Sequence, residues 1–221
     1  MIEFMLPIIT VLLIALGSVM TLKASELILA DEGDYHVGGV RYQFTQKNYE
    51  GVLLSAFLMG GMYVYVYPNT YYGMGNYNWI PMMIIVLLSV QSVIDLKYFE
   101  LADEWTSMIA MLALLWRYLS GGITWSVVGF AFGLFLFYFI TWFFVGFPGY
   151  GDVKLVLATG ILLTSLESIY FFIAIASFTG ATGTIMSCII DEKPLKDWLS
   201  AKFAYGPYLS YTILLLMLQV I

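Results

Sequence analysis

The sequence is poor in the side chains that most often do chemistry. Its 221 residues include one cysteine, Cys188, and one histidine, His36. A single cysteine excludes an intrachain disulfide and any multi-cysteine zinc site. Cys188 lies inside an apolar run and reads as a core thiol rather than a nucleophile, while His36 stands in a polar stretch and reads as solvated. Charge is also scarce. Only 11% of the residues are charged, and 9 lysines and arginines face 15 acids, for a net charge of −6. A nucleic-acid partner calls for a basic surface, which this balance excludes.

What fills the chain instead is apolar. Hydrophobic residues make up 61% of it and the mean hydropathy is +0.87, well beyond soluble domains. This predicts an all-α, polytopic membrane helix bundle forming a single domain over 1–221. Eight spans are expected: Leu6–Leu22, Val52–Tyr67, Ile80 to Asp95 or Leu96, Trp105–Leu119, Thr124–Val145, Val153–Ser165, Ile169–Ile190 and Ala204–Ile221. The fourth and sixth are short. At ~1.5 Å per residue they reach only about 20 to 22 Å of a ~30 Å hydrocarbon core, which is tolerated beside protein or a wet cavity.

Orientation follows from the basic residues. An extracytoplasmic amino terminus with eight spans puts Lys23, Arg41, Lys47, Lys97, Lys154, Lys193, Lys196 and Lys202 in the cytoplasm and Arg117 outside, as the positive-inside rule requires. The polar stretch 23–50 then becomes a cytoplasmic loop. Tyr65, Tyr67, Tyr71, Tyr72, Tyr77 and Trp79 fit an interfacial aromatic belt.

Two acids stand out against this background. Asp95 closes one apolar run, and Asp152 follows the glycine turn Gly149-Tyr150-Gly151 between two others. Ionisable groups at membrane depth usually face a protein interior or a water-filled cavity and are functional candidates. Each has a plainer reading: Asp95 as an interfacial residue beside Lys97, Asp152 as a helix cap. Together they are what peptide hydrolysis by two carboxylates needs, one ionised to take a proton from water and one protonated to polarise the carbonyl. Asp152 begins a helix and Asp95 ends one, so helix dipoles favour Asp152 as the base and Asp95 as the acid. Gly149 and Gly151 are expected to permit positive φ and a close approach of substrate backbone. Lys97 and Lys154 read as anchors first and electrostatic tuners second, and Gly206-Pro207 as the start of the last span.

Three stretches in order resemble the type IV prepilin peptidases. Asp95-Leu96-Lys97 with Leu101-Ala102-Asp103-Glu104-Trp105-Thr106 is similar to the segment in which that family's first catalytic aspartate precedes a Leu-Pro-Asp-x-Leu-Thr-like stretch. Gly149-Tyr150-Gly151-Asp152-Val153-Lys154 resembles its Gly-x-Gly-Asp-x-Lys turn, and Tyr205-Gly206-Pro207-Tyr208-Leu209 its closing Phe-Gly-Pro-Phe-Leu element. The resemblance covers about 80–221. It implies a membrane aspartyl endopeptidase of the GxGD type that cuts the basic leader from prepilins or pseudopilins, substrates with a hydrophobic helix, at the cytoplasmic face of the cell membrane. It implies Asp95 and Asp152 as catalytic residues, with Gly149, Gly151, Lys97, Lys154, Asp103, Gly206 and Pro207 supporting the groove, and neither metal nor other cofactor. Many bacterial members also methylate the new amino terminus with S-adenosylmethionine and carry paired Cys-x-x-Cys motifs in a cytoplasmic loop. This chain has neither motif, so peptidase activity without methyl transfer is expected. Ala102 replaces the family's usual proline, which should loosen that turn.

Two other classes share some of these features. Signal-peptide-peptidase and presenilin-type proteases also use a Gly-x-Gly-Asp turn, but would be expected to show Tyr-Asp and Pro-Ala-Leu where this chain has Ile94-Asp95 and Gly206-Pro207-Tyr208. A cation transporter using the two acids would be expected to show an internal repeat, and none is found. A basic leader would be steered by the acids assigned to the cytoplasmic side: Glu26, Asp31, Glu32, Asp34, Asp191, Glu192 and Asp197.

Overall fold

The structure, a computed structural model, describes residues 2–31, 44–66, 79–120, 122–163, 165–190 and 204–218. Among these residues there are helices and no strands: α1 (Ile2–Asp31), α2 (Gln46–Val66), α3 (Trp79–Tyr98), α4 (Asp103–Ser120), α5 (Trp125–Val145), α6 (Tyr150–Gly160), α7 (Leu166–Ile190) and α8 (Gly206–Met217). Each corresponds to one of the eight expected segments. Four are long and apolar enough to cross a bilayer: α1 over Pro7–Glu26, α3, α5, and α7 over Leu166–Met186. The chain is a helical membrane protein. α6 and α8, with 11 and 12 residues, reach only about 16 to 18 Å along their axes.

The chain forms two compact units, Met1–Val93 and Ile94–Ile221, with the boundary inside α3. In the first, α1 packs against α2. Its loop is shorter than the stretch 23–50 expected from polarity. Residues 23–31 contain no glycine or proline to stop a helix, and Lys23 and Glu26 pair at 2.7 Å one turn apart, so α1 runs on to Asp31. α2 in turn begins at Gln46. Glu26 also accepts the Phe44 N–H at 3.0 Å and the Tyr49 hydroxyl at 3.1 Å. It ties α1 to the start of α2. Of the other steering acids, Glu32, Asp34, Asp191, Glu192 and Asp197 lie outside the described residues, as does His36, and Asp31 is described only by its backbone.

The second unit is built around the short α6, which packs against α4, α5 and α8; α7 packs on α8 and α5. The local sequence explains each boundary near it. Thr124 caps α5 by accepting the Val127 N–H, and Gly146 ends that helix at φ 75°, donating to the Trp142 carbonyl at 2.8 Å. The turn into α4 is closed despite Ala102, whose carbonyl accepts both the N–H and the hydroxyl of Thr106, at 3.1 and 3.0 Å. Pro207 sits in the first turn of α8, where its missing N–H is not needed. Cys188 is buried, as a core thiol should be.

Candidate active site

Asp95 lies in the last turn of α3 and Asp152 in the first turn of α6, and both are buried, at 5% and 7% exposure. Each carboxylate is held by a backbone N–H from a glycine. Asp152 Oδ2 accepts from Gly149 at 2.9 Å, so the acid does cap its own helix. That bond occupies one oxygen only; Oδ1 is buried and has no hydrogen-bond partner. Asp95 Oδ2 accepts the Gly206 N–H at 2.7 Å, a bond across 111 positions of sequence that ties the end of α3 to the head of α8.

Leu101 closes the space between these elements. A Cβ on Gly151 would stand 3.2 Å from the Leu101 Cβ, and one on Gly206 would stand 3.0 Å from its Cδ2 and 2.9 Å from Asp95 Oδ2. A side chain at 206 would therefore have to displace its neighbours, and one at 151 would press on Leu101. The expected positive φ is not found in the turn: Gly149 sits at φ −62°, and the left-handed glycine is Gly146, which ends α5 just before it. The reversal needed to enter the turn is made by that C-cap, leaving Gly149 free to serve as an extended N-cap.

The charged residues of these motifs lie in two places. Lys154 makes a two-oxygen ion pair with Asp103, at 2.7 and 2.8 Å, and lies 4.8 Å from the centre of the Tyr150 ring, joining α6 to α4. Lys97 is half-buried in the last turn of α3, 5.1 Å from the Tyr98 ring centre. A cavity of about 610 Å³ between α4, α5 and α6 has the Asp103–Lys154 pair among its lining residues but neither catalytic candidate. A smaller one, of about 340 Å³, opens against Phe147, Gly180 and Tyr205. Among the described residues no three of His, Cys, Asp and Glu are grouped so as to hold a metal ion.

Electrostatically the acids are coupled, since the charge of Asp95 acts on Asp152. Asp152 stands outside the four spanning helices, at the head of α6. Burial, and after it the Asp95 charge, holds its carboxyl above the ordinary carboxylate range, against the smaller effect of the Gly149 N–H. Two buried tyrosines missed by the sequence reading lie in the same field, Tyr138 on α5 and Tyr205 before Gly206. Tyr138 gave little local signal because it sits in an aromatic run, Phe135 to Phe139, where one hydroxyl among phenylalanines reads as part of an apolar helix face.

Residues 82–185 match the type IV leader peptidase family. No curated protein and no solved structure matches the chain. The matched stretch is just under half of the sequence, and it holds both acids, the glycine turn, Lys97, Asp103 and Lys154; Gly206 and Pro207 lie beyond it. Over that stretch the chain is similar to the type IV leader peptidases.

Proposed function

We propose that the chain is an aspartyl endopeptidase of the GxGD type that removes the basic leader from type IV prepilins or pseudopilins, with Asp95 and Asp152 as its acid–base pair. The observation that carries this reading is the pair itself: two buried, coupled carboxylates in one compact unit, each fixed by a glycine N–H. One member takes a proton from water as the water attacks the scissile carbonyl, and the other donates its proton to the carbonyl oxygen. When the resulting gem-diol intermediate collapses, the first gives its proton to the leaving amine as the C–N bond breaks, and one hydroxyl of the intermediate returns its proton to the second. The pair supplies every proton transfer, so the route calls on no metal or cofactor.

The roles run opposite to the helix-dipole argument. A helix amino terminus favours the Asp152 anion by about 0.3–1 kcal/mol, whereas both acids are buried and Asp152 also keeps a buried oxygen, Oδ1, with no hydrogen-bond partner, and leaving a buried charge unpaired costs several kcal/mol. Burial wins. Asp152 holds the proton, with the unpartnered Oδ1 as its seat, and Asp95 is the base.

The excess of basic residues in alternate loops supports a site facing the cytoplasm in the cell membrane. Methyl transfer lies outside the proposed activity, and S-adenosylmethionine should leave the mass of the processed product unchanged. The test is cleavage of a prepilin-like peptide by purified protein in mixed micelles, with a generic transmembrane signal peptide as control. Asp95→Asn and Asp152→Asn should each abolish cleavage in folded protein, and the control peptide should stay intact. Substantial cleavage by either variant would overturn the aspartyl mechanism.

A further inference from the structure

Beside the two acids the second unit buries a pair of tyrosine hydroxyls. Tyr138 and Tyr205 are each 3% exposed, and their hydroxyl oxygens stand 3.4 Å apart. A buried hydroxyl is costly unless it is hydrogen-bonded, and phenylalanine would fill either place without that cost.

Tyr205 is joined mechanically to both acids. Its next residue, Gly206, supplies the N–H that holds Asp95. Its ring lies 5.2 Å from that of Phe147, two residues before Gly149, whose N–H holds Asp152. On a further side the ring rests against α7 at Gly180, where a Cβ would collide with its ring carbons. Tyr138 is fixed in turn by an edge-on contact, 6.1 Å between ring centres, with the fully buried Phe172. The charge of Asp152 acts on both tyrosines. Asp152 Oδ1 is buried with no hydrogen-bond partner, and the antiparallel packing of α5 on α6, with Ala131 against Gly160, sets Tyr138 level with the Asp152 turn.

We propose that Tyr138 and Tyr205 form a positioning pair for Asp152, in which Tyr138 orients Tyr205 and Tyr205 presents its hydroxyl to Asp152 Oδ1 through one water. The proposal rests on the aspartyl reading and deepens it. When Asp152 passes its proton to the scissile carbonyl, the charge left behind has one N–H partner, from Gly149. The tyrosine hydroxyl, through that water, supplies the second and lowers the barrier to that transfer. The other titratable groups on the elements around Asp152 are Asp95, Lys97 and Tyr98 on α3, Asp103, Glu104, Arg117 and Tyr118 on α4, Tyr150 and Lys154 on α6, and Tyr208 and Tyr211 on α8; of these, Asp95 acts on it directly and Asp103 is paired with Lys154.

The experiment uses the full chain in mixed micelles with Tyr138→Phe, Tyr205→Phe and the double variant. Each single change should lower kcat by about tenfold to a hundredfold, the loss of one hydrogen bond to a charged acceptor, with KM unchanged. Each should move the alkaline limb of the pH–rate profile to higher pH, because the ionised form of Asp152 has lost a donor. The double variant should be no worse than the worse single one, since the hydroxyls act in series. The infrared C=O stretch of the protonated Asp152 carboxyl, recognised by its loss in Asp152→Asn, should shift in Tyr205→Phe. An unmoved limb and an unmoved band in that variant overturn the proposal, and a fall in rate without either marks a structural role only. Cleavage surviving in Asp152→Asn would sink the aspartyl reading instead, and the infrared band would still decide the pairing.

Discussion

Gly206→Ala tests whether the amide that holds Asp95 matters to the chemistry. The added Cβ would stand 2.9 Å from Asp95 Oδ2, 3.1 Å from Asp95 Cβ and 3.0 Å from Leu101 Cδ2. All three distances are shorter than ordinary contact, so the head of α8 or the carboxylate must retreat, and the 2.7 Å hydrogen bond lengthens or breaks. A hydrogen bond to a charged acceptor is worth about 1.5–3 kcal/mol, which corresponds to about 10- to 150-fold in rate. The effect on folding should be smaller. Overpacking costs about 1–3 kcal/mol, and alanine recovers up to about 1 kcal/mol over glycine in a helix. The expected result is a fall in kcat for the prepilin-like peptide with KM little changed and melting lowered by a few degrees. Gly133→Ala is the matching control, because a Cβ there meets nothing within 4 Å. A folded Gly206→Ala protein with kcat within about twofold of wild type would refute the argument.

The pH dependence of kcat/KM should be bell-shaped, since one shared proton serves the pair. Rate is lost on the acid side as Asp95 takes up a proton, and on the alkaline side as Asp152, held above the ordinary carboxylate range by burial, gives its proton up. A profile flat across neutral pH would contradict this. Separating Lys154 from Asp103 by Lys154→Met should cost at most about 1 kcal/mol of stability, because the pair is substantially exposed; a double-mutant cycle with Asp103→Asn measures the coupling, and a value well above that range would show a role beyond surface pairing. Cys188→Ala should leave cleavage nearly unchanged, and thiol reagents should not inhibit, since the thiol is buried and plays no part in the proposed chemistry. Loss of activity with either would reopen a nucleophilic role.

Much of this protein is local and was therefore legible in the amino-acid order. Apolar runs long enough to cross a bilayer announce their helices, and an acid at the end of such a run is conspicuous because its placement there is costly. Asp95, Asp152, the glycine turn and Gly206-Pro207 all declared themselves in this way. The extension of α1 to Asp31 did not, because polarity was read as a loop where an unbroken helix former and the Lys23–Glu26 pair carry the helix on.

What the tertiary structure alone decided is which distant groups meet. Hydropathy carries no register between helices: lipid tails are as apolar as leucine, so the packing of one helix on another rests on close contacts of small residues and on individual polar bonds. The Gly206 N–H on Asp95, the closure of Leu101 against Gly151, the pairing of Lys154 with Asp103 and the meeting of the Tyr138 and Tyr205 hydroxyls are all of this kind. The proposed division of roles between the acids rests on the same kind of fact. Their positions at helix ends could be read along the chain and pointed to Asp152 as the base, but the buried, unpartnered Oδ1 on which the opposite proposal rests depends on the neighbours that folding brings around it.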